Sequence, residues 1–114
     1  MVVPTTGAVV LVPFPFSDLT QAKLRPAVVL ADAGRGDWIL CQITSRAYGD
    51  RQVIVVSQAG FAEGSLRVVS YARPGKLFTA NRNLMVTKVG ILKSDLFSEI
   101  VRAVMNILRG SLTA

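Results

Sequence analysis

The chain is divided into short apolar runs, and this spacing limits the folds that it can adopt. The runs occupy residues 8–12, 27–30, 38–43, 53–56, 68–71 and 84–87. They are rich in β-branched side chains, and Gly, Pro, Asp or Asn lies between them. This pattern is typical of short strands joined by tight connections. We therefore predict a small antiparallel β-barrel or sandwich.

The last part of the chain has a different period. Ser94 is a candidate N-cap with Asp95 in the first turn, and Gly110 is suited to end a helix. Between them, apolar side chains recur at the spacing of one helical face, at Leu96, Phe97, Ile100, Val101, Val104, Ile107 and Leu108. The predicted fold class is thus mainly β (α+β), with a C-terminal α-helix laid on the sheet.

The length and composition are those of one small domain. The chain has 114 residues, of which 51% are apolar, enough to fill a single core. No apolar run approaches the roughly 18 residues that span a bilayer, and the first residues lack the features of a signal peptide. Cys41 is the only cysteine, which excludes an internal disulfide. We expect one domain over residues 1–114 in a soluble cytoplasmic protein without membrane contact.

The formal charge of +6 is unevenly distributed. No acidic residue lies between Glu63 and Asp95, whereas six basic residues do, namely Arg67, Arg73, Lys76, Arg82, Lys88 and Lys93. Such a stretch is typical of a solvated face or of a surface that binds a polyanion. Composition alone leaves both interpretations open.

The chain contains no histidine. This excludes Ser-His-Asp and Cys-His nucleophiles, histidine metal sites, and the paired-imidazole catalysis of many ribonucleases. No phosphate loop, dinucleotide fingerprint or paired-cysteine metal motif is present either. The sequence predicts no metal and no cofactor, so an enzyme of this sequence would work with arginine, lysine, hydroxyls and a few carboxylates.

Arg25 stands immediately before Pro26, at the start of a predicted strand. Proline pushes the preceding residue toward an extended backbone, so the Arg25 side chain would leave a rigid strand end. A guanidinium can grip a phosphate with two hydrogen bonds and stabilise the charge of a phosphorane. The alternative is a surface ion pair with Asp18 in the same loop.

A second polar cluster follows the apolar run WILCQI, at Thr44, Ser45 and Arg46. Two hydroxyls and a cation can bind one phosphate, although the same residues are typical of an ordinary polar turn. Arg73-Pro74 repeats the Arg-Pro pair, and Pro74-Gly75 is a turn signal that would place Arg73 and Lys76 at a loop.

Taken in this order, the residues resemble the MazF/PemK family of toxin endoribonucleases from bacterial type II toxin–antitoxin modules. The resemblance begins with GAVVLVPFPFSDLTQAKLRPAVVL, where the family has a strand, a long loop, and Arg-Pro leading into a second strand. It continues through CQITS, SYARPGKLFTANR and VGIL, and ends in the C-terminal helix.

The resemblance implies an SH3-like barrel that works as a homodimer and cleaves single-stranded RNA without a metal. Its best-known members leave a 2′,3′-cyclic phosphate and a 5′-hydroxyl. Arg25 matches the family's catalytic arginine and Thr44 its catalytic hydroxyl, with Ser45 beside it. The RNA backbone would be held by four basic residues, Lys23, Arg46, Arg73 and Lys76. The other implied partner is a cognate acidic antitoxin whose disordered tail occupies the same groove.

Two positions depart from the family pattern. Gln21 fits the second position of a Glu-Gln pair, but Thr20 replaces the carboxylate, and Ser70 stands where a related toxin has a catalytic Asp. Asp18 is the nearest carboxylate in sequence and is therefore the candidate general base. Two other functions stay open: a non-catalytic CcdB-like toxin that binds a protein such as gyrase, and a catalytically degenerate barrel that binds RNA.

Overall fold

The computed structural model describes residues 2–14, 23–46, 49–50 and 52–112. These residues form seven strands and one α-helix: β1 (Ala8–Pro13), β2 (Leu24–Gly34), β3 (Asp37–Thr44), β4 (Ile54–Val56), β5 (Phe61–Gly64), β6 (Ser70–Asn81), β7 (Thr87–Leu92) and α1 (Ser94–Gly110). Two 3₁₀ turns, Gln58–Gly60 and Arg82–Leu84, precede β5 and β7.

The strands form one antiparallel sheet in the order β4-β6-β3-β2-β1-β7-β5. The sheet curls into a half-barrel that carries the C-terminal helix, which confirms the predicted fold class. β1 ends at Pro13, and β2 returns beside it in a register that sets Arg25 opposite Val12. Arg25 therefore lies at one end of the sheet, as its position before Pro26 predicted.

Both faces of the central strands are buried. Along β1, Val10 and Val12 belong to one apolar cluster, which also contains Phe14 and Leu40. Val9 belongs to a second cluster, on the side of the sheet that α1 covers. Alternate residues of a strand point to opposite faces, so a continuous apolar run such as residues 8–12 fills two cores at once.

α1 is amphipathic, and it packs against β4 and β6. Ile100 and Val104 are its buried residues. Asp95 lies in its first turn, where a negative charge interacts favourably with the helix dipole. The helix begins at Ser94, one residue before the predicted start, because Lys93 occupies the N-cap position. No helix in the described residues is long and apolar enough to cross a membrane.

The strands differ from the prediction at residues 61–64, 70–81 and 84–87, and β2 is longer than predicted. The run at residues 84–87 is not one strand: the Asn81 side chain accepts a hydrogen bond from the N–H of Asn83 at 3.0 Å and starts a 3₁₀ turn, so β7 begins only at Thr87. β5 has a single buried residue, Phe61, which is too weak a pattern to indicate a strand. β6 begins at Ser70, two residues later than expected, and continues to Asn81.

β6 continues through Pro74-Gly75, where the sequence predicted a turn. The register with β3 pairs Ala72 with Ile43 and Leu77 with Cys41, so four residues of β6 lie opposite Gln42 alone. An irregular bulge of this size accommodates proline, which cannot donate a hydrogen bond to a neighbouring strand. We call residues 73–76 the β6 bulge.

Candidate active site

Ends of the three inner strands β2, β3 and β6 meet at the end of the sheet that carries Arg25. The β2–β3 register pairs Ala27 with Gln42, and two further residues along each strand bring Arg25 level with Thr44. Thr44 in turn pairs with Tyr71 of β6, which places Ser70 one residue beyond this pair. Strand pairing therefore brings together an arginine and two hydroxyl residues that are up to 45 positions apart in the sequence.

These residues line a cleft of about 260 Å³. Its lining consists of Leu11, Leu24, Arg25, Pro26, Ile43, Thr44, Ser45, Leu66, Val68 and Ser70. The structure thus brings four of the predicted site residues, Arg25, Thr44, Ser45 and Ser70, to one cleft. We call it the Arg25–Thr44 cleft.

The side chain of Thr44 is oriented by the chain that follows it. Its Oγ1 atom accepts a hydrogen bond from the backbone N–H of Arg46 at 3.2 Å, which closes a local turn at the end of β3. Thr44 is buried, with 7% of its surface exposed. A hydroxyl has one proton, so the oxygen that already accepts from Arg46 keeps its own proton to donate into the cleft.

Ser70 is arranged in the opposite way. Its hydroxyl donates to the carbonyl oxygen of Val68 at 3.2 Å, and only 2% of the residue is exposed. Because its single proton is already used, Ser70 can offer the cleft lone pairs but no donor. This bond fixes the segment before β6 against the strand, and so shapes the wall of the cleft.

Arg25 is the only charged residue among the described residues that line the cleft. It is half-buried, between the exposed Leu24 and the partly buried Pro26. No carboxylate lines this cleft in the described part of the chain, and no three Cys, Asp or Glu residues there come together as metal ligands. The described cleft is therefore an electropositive site with hydroxyl donors.

The other predicted site residues lie in three different places. Lys23 is exposed and directly precedes β2, and Arg46 is exposed two residues after Thr44. Both are thus close in sequence to a residue of the cleft. Asp18 and Gln21 lie outside the described residues, so the candidate general base has no structural description.

Arg73 and Lys76 belong to the β6 bulge and do not line the cleft. Arg73 forms a two-pronged ion pair with Asp50, with distances of 2.6 Å from Nε to Oδ2 and 3.0 Å from Nη2 to Oδ1. Hydrogen bonding to Arg73 lowers the pKa of the Asp50 carboxyl. The predicted contacts of Arg73 and Lys76 with RNA stay predictions, and for Arg73 such a contact would compete with Asp50.

The Cys41 thiol is buried behind the same bulge, and its S–H donates to the carbonyl oxygen of Arg73 at 3.2 Å. Burial raises the pKa of Cys41 to about 12. The thiol is therefore protonated at neutral pH and has a structural place in the core.

Sequence reasoning missed the apolar wall of the cleft. Leu66 and Val68 precede β6 and line the same cleft as Arg25. Val68 looked like the start of a strand, yet it is 59% exposed and lies outside any strand. Ser65 could have indicated the turn from the sequence, because serine often closes such turns. Its Oγ accepts a hydrogen bond from the N–H of Arg67 at 2.8 Å.

A larger hollow of about 380 Å³ lies beside α1, lined by Gln52, Val53, Ile54, Glu99, Arg102, Ala103 and Asn106. These described lining residues supply one carboxylate, one guanidinium and two amides, but no hydroxyl. This hollow is larger than the Arg25–Thr44 cleft. The cleft is nevertheless better suited to phosphate chemistry, because it combines an arginine with buried and exposed hydroxyls.

Three solved structures share this fold at low sequence identity. MazF (Form-I) from Deinococcus radiodurans has a TM-score of 0.74 and 23% identity, covering 95% of this chain and 98% of that chain. MazE-MazF (Form-II) from the same organism has a TM-score of 0.71 and 19% identity, covering 95% and 97%. An endoribonuclease in complex with its cognate antitoxin, from Mycobacterial species, has a TM-score of 0.70 and 12% identity, covering 95% of each chain.

At these identities the structural likeness establishes the fold alone. No curated protein sequence matches the chain significantly. The family is established by the sequence profile of the PemK-like, MazF-like toxins of type II toxin–antitoxin systems, which matches residues 5–108. That match includes the whole Arg25–Thr44 cleft and nearly all of α1, and the chain therefore belongs to the PemK-like, MazF-like toxin family.

Proposed function

We propose that the protein is the toxin of a type II toxin–antitoxin module and acts as a sequence-specific, metal-independent endoribonuclease. Its substrate would be single-stranded RNA, including mRNA in the cytoplasm, and cleavage would inhibit translation and growth. The observation that carries the proposal is the Arg25–Thr44 cleft, where a guanidinium and a buried hydroxyl donor converge in a chain of this family.

The proposed reaction is attack of a ribose 2′-hydroxyl on the adjacent phosphate. The P–O2′ bond forms and the P–O5′ bond breaks, which leaves a 2′,3′-cyclic phosphate and a 5′-hydroxyl. The 2′-hydroxyl proton passes to a base, and the departing 5′-oxygen takes up a proton. Asp18 is the candidate base, with Gln21 as a candidate supporting residue, and both lie outside the described residues.

Arg25 would stabilise the negative charge that builds up on the phosphorane. Its guanidinium keeps its charge at any working pH and matches two phosphoryl oxygens at once. Support comes from the half-buried position of Arg25 and from the absence of any carboxylate partner in the described lining of the cleft. A guanidinium that meets no carboxylate among the described lining residues can bind a phosphate without first breaking an ion pair with one of them.

Thr44 would donate a hydrogen bond to a phosphoryl oxygen. Its oxygen already accepts the Arg46 N–H, so the proton is free to point toward the substrate. Ser45 is exposed next to it and would support the same phosphate. Ser70, whose proton is bound to the Val68 carbonyl, would act by positioning the wall of the cleft.

Lys23 and Arg46 would bind the RNA backbone on either side of the cleft, since both are exposed and adjacent in sequence to its residues. Arg73 and Lys76 would bind more distant phosphates. The same four basic residues would also bind a cognate acidic antitoxin. Support comes from the related structures that contain an antitoxin. A homodimer completes the proposal, with exposed apolar residues of α1, such as Met105 and Leu108, available for contact between copies.

The test is to incubate the purified protein with a long RNA in EDTA and to map the new 5′ ends. Cleavage at one recurring short sequence, with 5′-hydroxyl ends that vanish in Arg25→Ala, is expected. Binding of RNA without cleavage would favour the degenerate RNA-binding barrel. Neither binding nor cleavage, together with association with gyrase, would favour the CcdB-like alternative. Cleavage that strictly requires added magnesium would overturn the proposed mechanism.

A further inference from the structure

The segment between β5 and β6 joins the Arg25–Thr44 cleft to a second hollow. Leu66 and Val68 line both of them, so the two hollows share one short segment of the chain. The second one, of about 110 Å³, is lined by Gln58, Phe61, Ser65, Leu66, Arg67, Val68 and Val69. Among its described lining residues only Arg67 is charged, and Arg67 stands between the two residues that line both hollows.

Arg67 has an unusual backbone. Its φ of 69° is in the left-handed region, where glycine is unstrained and asparagine is tolerated but most side chains are not. The Ser65 hydroxyl oxygen accepts the Arg67 N–H at 2.8 Å and holds this turn closed. The guanidinium is thus carried by a turn of defined shape, at a position where turn geometry alone would favour another residue.

The Arg67 side chain is exposed, and no carboxylate in the described part of the chain lies within ion-pair distance of it. Arg73 differs, since Asp50 already neutralises it. The neighbours of Arg67 in the wall include the exposed apolar residues Val68 and Val69. A cation in this setting is available for an anionic ligand that reaches it along the wall.

We propose that Arg67 binds a phosphate of single-stranded RNA next to the linkage that lies between Arg25 and Thr44. This inference rests on the proposed endoribonuclease function and adds a residue that holds the substrate in register. The nucleoside between the two phosphates would lie against Leu66 and Val68. Arg67 is a binding residue in this arrangement and takes no part in the chemical step.

The experiment measures binding to an RNA that cannot be cut. A labelled random-sequence single strand of about 12 nucleotides, with every 2′-hydroxyl methylated, lacks the attacking nucleophile. Its affinity is measured over a series of salt concentrations for the parent, Arg67→Asn and Arg67→Lys. Asparagine tolerates the left-handed backbone while removing the charge, and lysine keeps the charge.

Arg35 provides a matched control, because it is also an exposed arginine with a left-handed φ, of 57°. It lies at the far end of β2 from Arg25, about 30 Å away at the usual rise per residue. Arg35→Asn therefore removes the same charge from the same kind of turn, at a site remote from the cleft.

We expect Arg67→Asn to bind several-fold more weakly and to reduce the slope of log affinity against log salt by about 0.7, the value for one lost phosphate contact on a single strand. Arg67→Lys should keep most of the slope, and Arg35→Asn should match the parent. Thermal unfolding checks that each variant is folded, and Arg67→Gly replaces Arg67→Asn if that variant is not.

Parental affinity and slope in Arg67→Asn, or an equal loss in Arg35→Asn, would overturn the role of Arg67. If this occurs while Arg25→Ala still abolishes cleavage, the proposed function stands and only the Arg67 contact is wrong. A parent protein that neither binds nor cleaves RNA would overturn both.

Discussion

The Oγ1 atom of Thr44 accepts a hydrogen bond from the backbone N–H of Arg46, 3.2 Å away. Thr44 is the last paired residue of β3, and this bond fixes a side chain that lines the cleft. The hydroxyl is therefore oriented before any substrate arrives, which is the condition under which a hydrogen-bond donor contributes most to a transition state.

Thr44→Val keeps the shape of the side chain and removes the donor. We expect the single-turnover rate of RNA cleavage to fall, by up to about 10²–10³-fold, the effect of losing one preorganised donor. Thr44→Ser keeps the hydroxyl and should retain most of the rate. If Thr44→Val is folded and cleaves at the parental rate with saturating RNA, Thr44 does not donate to the phosphate.

Arg25→Ala should separate catalysis from binding. The cleavage rate at saturating RNA should fall by about 10²–10³-fold or more, because the variant lacks the charge that we propose stabilises the phosphorane. Binding should weaken far less, with the salt slope reduced by about 0.7. Arg25→Lys keeps the charge without the two-pronged geometry and should stay well below the parental rate. Parental cleavage by Arg25→Ala at saturating RNA would make Arg25 a binding residue only.

The ion pair between Asp50 and Arg73 predicts how stability depends on pH. Hydrogen bonding to Arg73 lowers the pKa of Asp50 in the folded protein. The contribution of this group to the free energy of unfolding is therefore complete above its unfolded-state pKa, about 3.9. It is lost as the pH falls through the lower folded-state pKa.

Asp50→Asn removes this dependence. The difference in unfolding free energy between the parent and Asp50→Asn should be constant at neutral pH and should shrink as the pH falls below about 4. Urea denaturation over a pH series measures it. A difference that grows toward acid pH would contradict the assigned ion pair. The control is Asp32→Asn, near the end of β2, because the exposed Asp32 carboxylate accepts a backbone hydrogen bond from Gly34 and forms no ion pair in the described part of the chain.

The Cys41 thiol should resist alkylation in the native protein. At pH 8, raising its pKa from 9.0 to about 12 reduces the reactive thiolate fraction by about a thousandfold. We expect iodoacetamide to react rapidly only in denaturant, and the native rate to report opening of the β3–β6 core. Equal rates in the native and denatured protein would show that the thiol is accessible and would contradict its burial.

Much of the fold could be predicted because its signals are local. The runs at residues 8–12 and 38–43 are apolar on both faces and lie within β1 and β3. The helical period from Leu96 onward likewise matches α1. β5 could not be predicted, since its single buried residue shows neither alternation nor a run, and it is held by pairing with β7.

The sequence predicted only some of the residues that come together in the Arg25–Thr44 cleft. Arg25 and Thr44 were singled out because a proline and a strand end mark their positions, and pairing brings both to one cleft. The wall formed by Leu66 and Val68 depends on a turn closed by a serine hydroxyl, which leaves no apolar periodicity to detect. Arg73 resembled Arg25 in its Arg-Pro context, yet Asp50 binds it in the structure.

The β6 bulge separates two stretches of β3–β6 pairing, one anchored at Ala72 and the other at Leu77. Each stretch keeps its own register. Residues added between the two stretches therefore need not shift the strand pairing on either side. Pro74 is fully buried, whereas Gly75 and Lys76 are exposed. The peptide between Gly75 and Lys76 is therefore a place where an epitope or a reporter sequence could be inserted into an intact toxin, at a point outside the lining of the Arg25–Thr44 cleft.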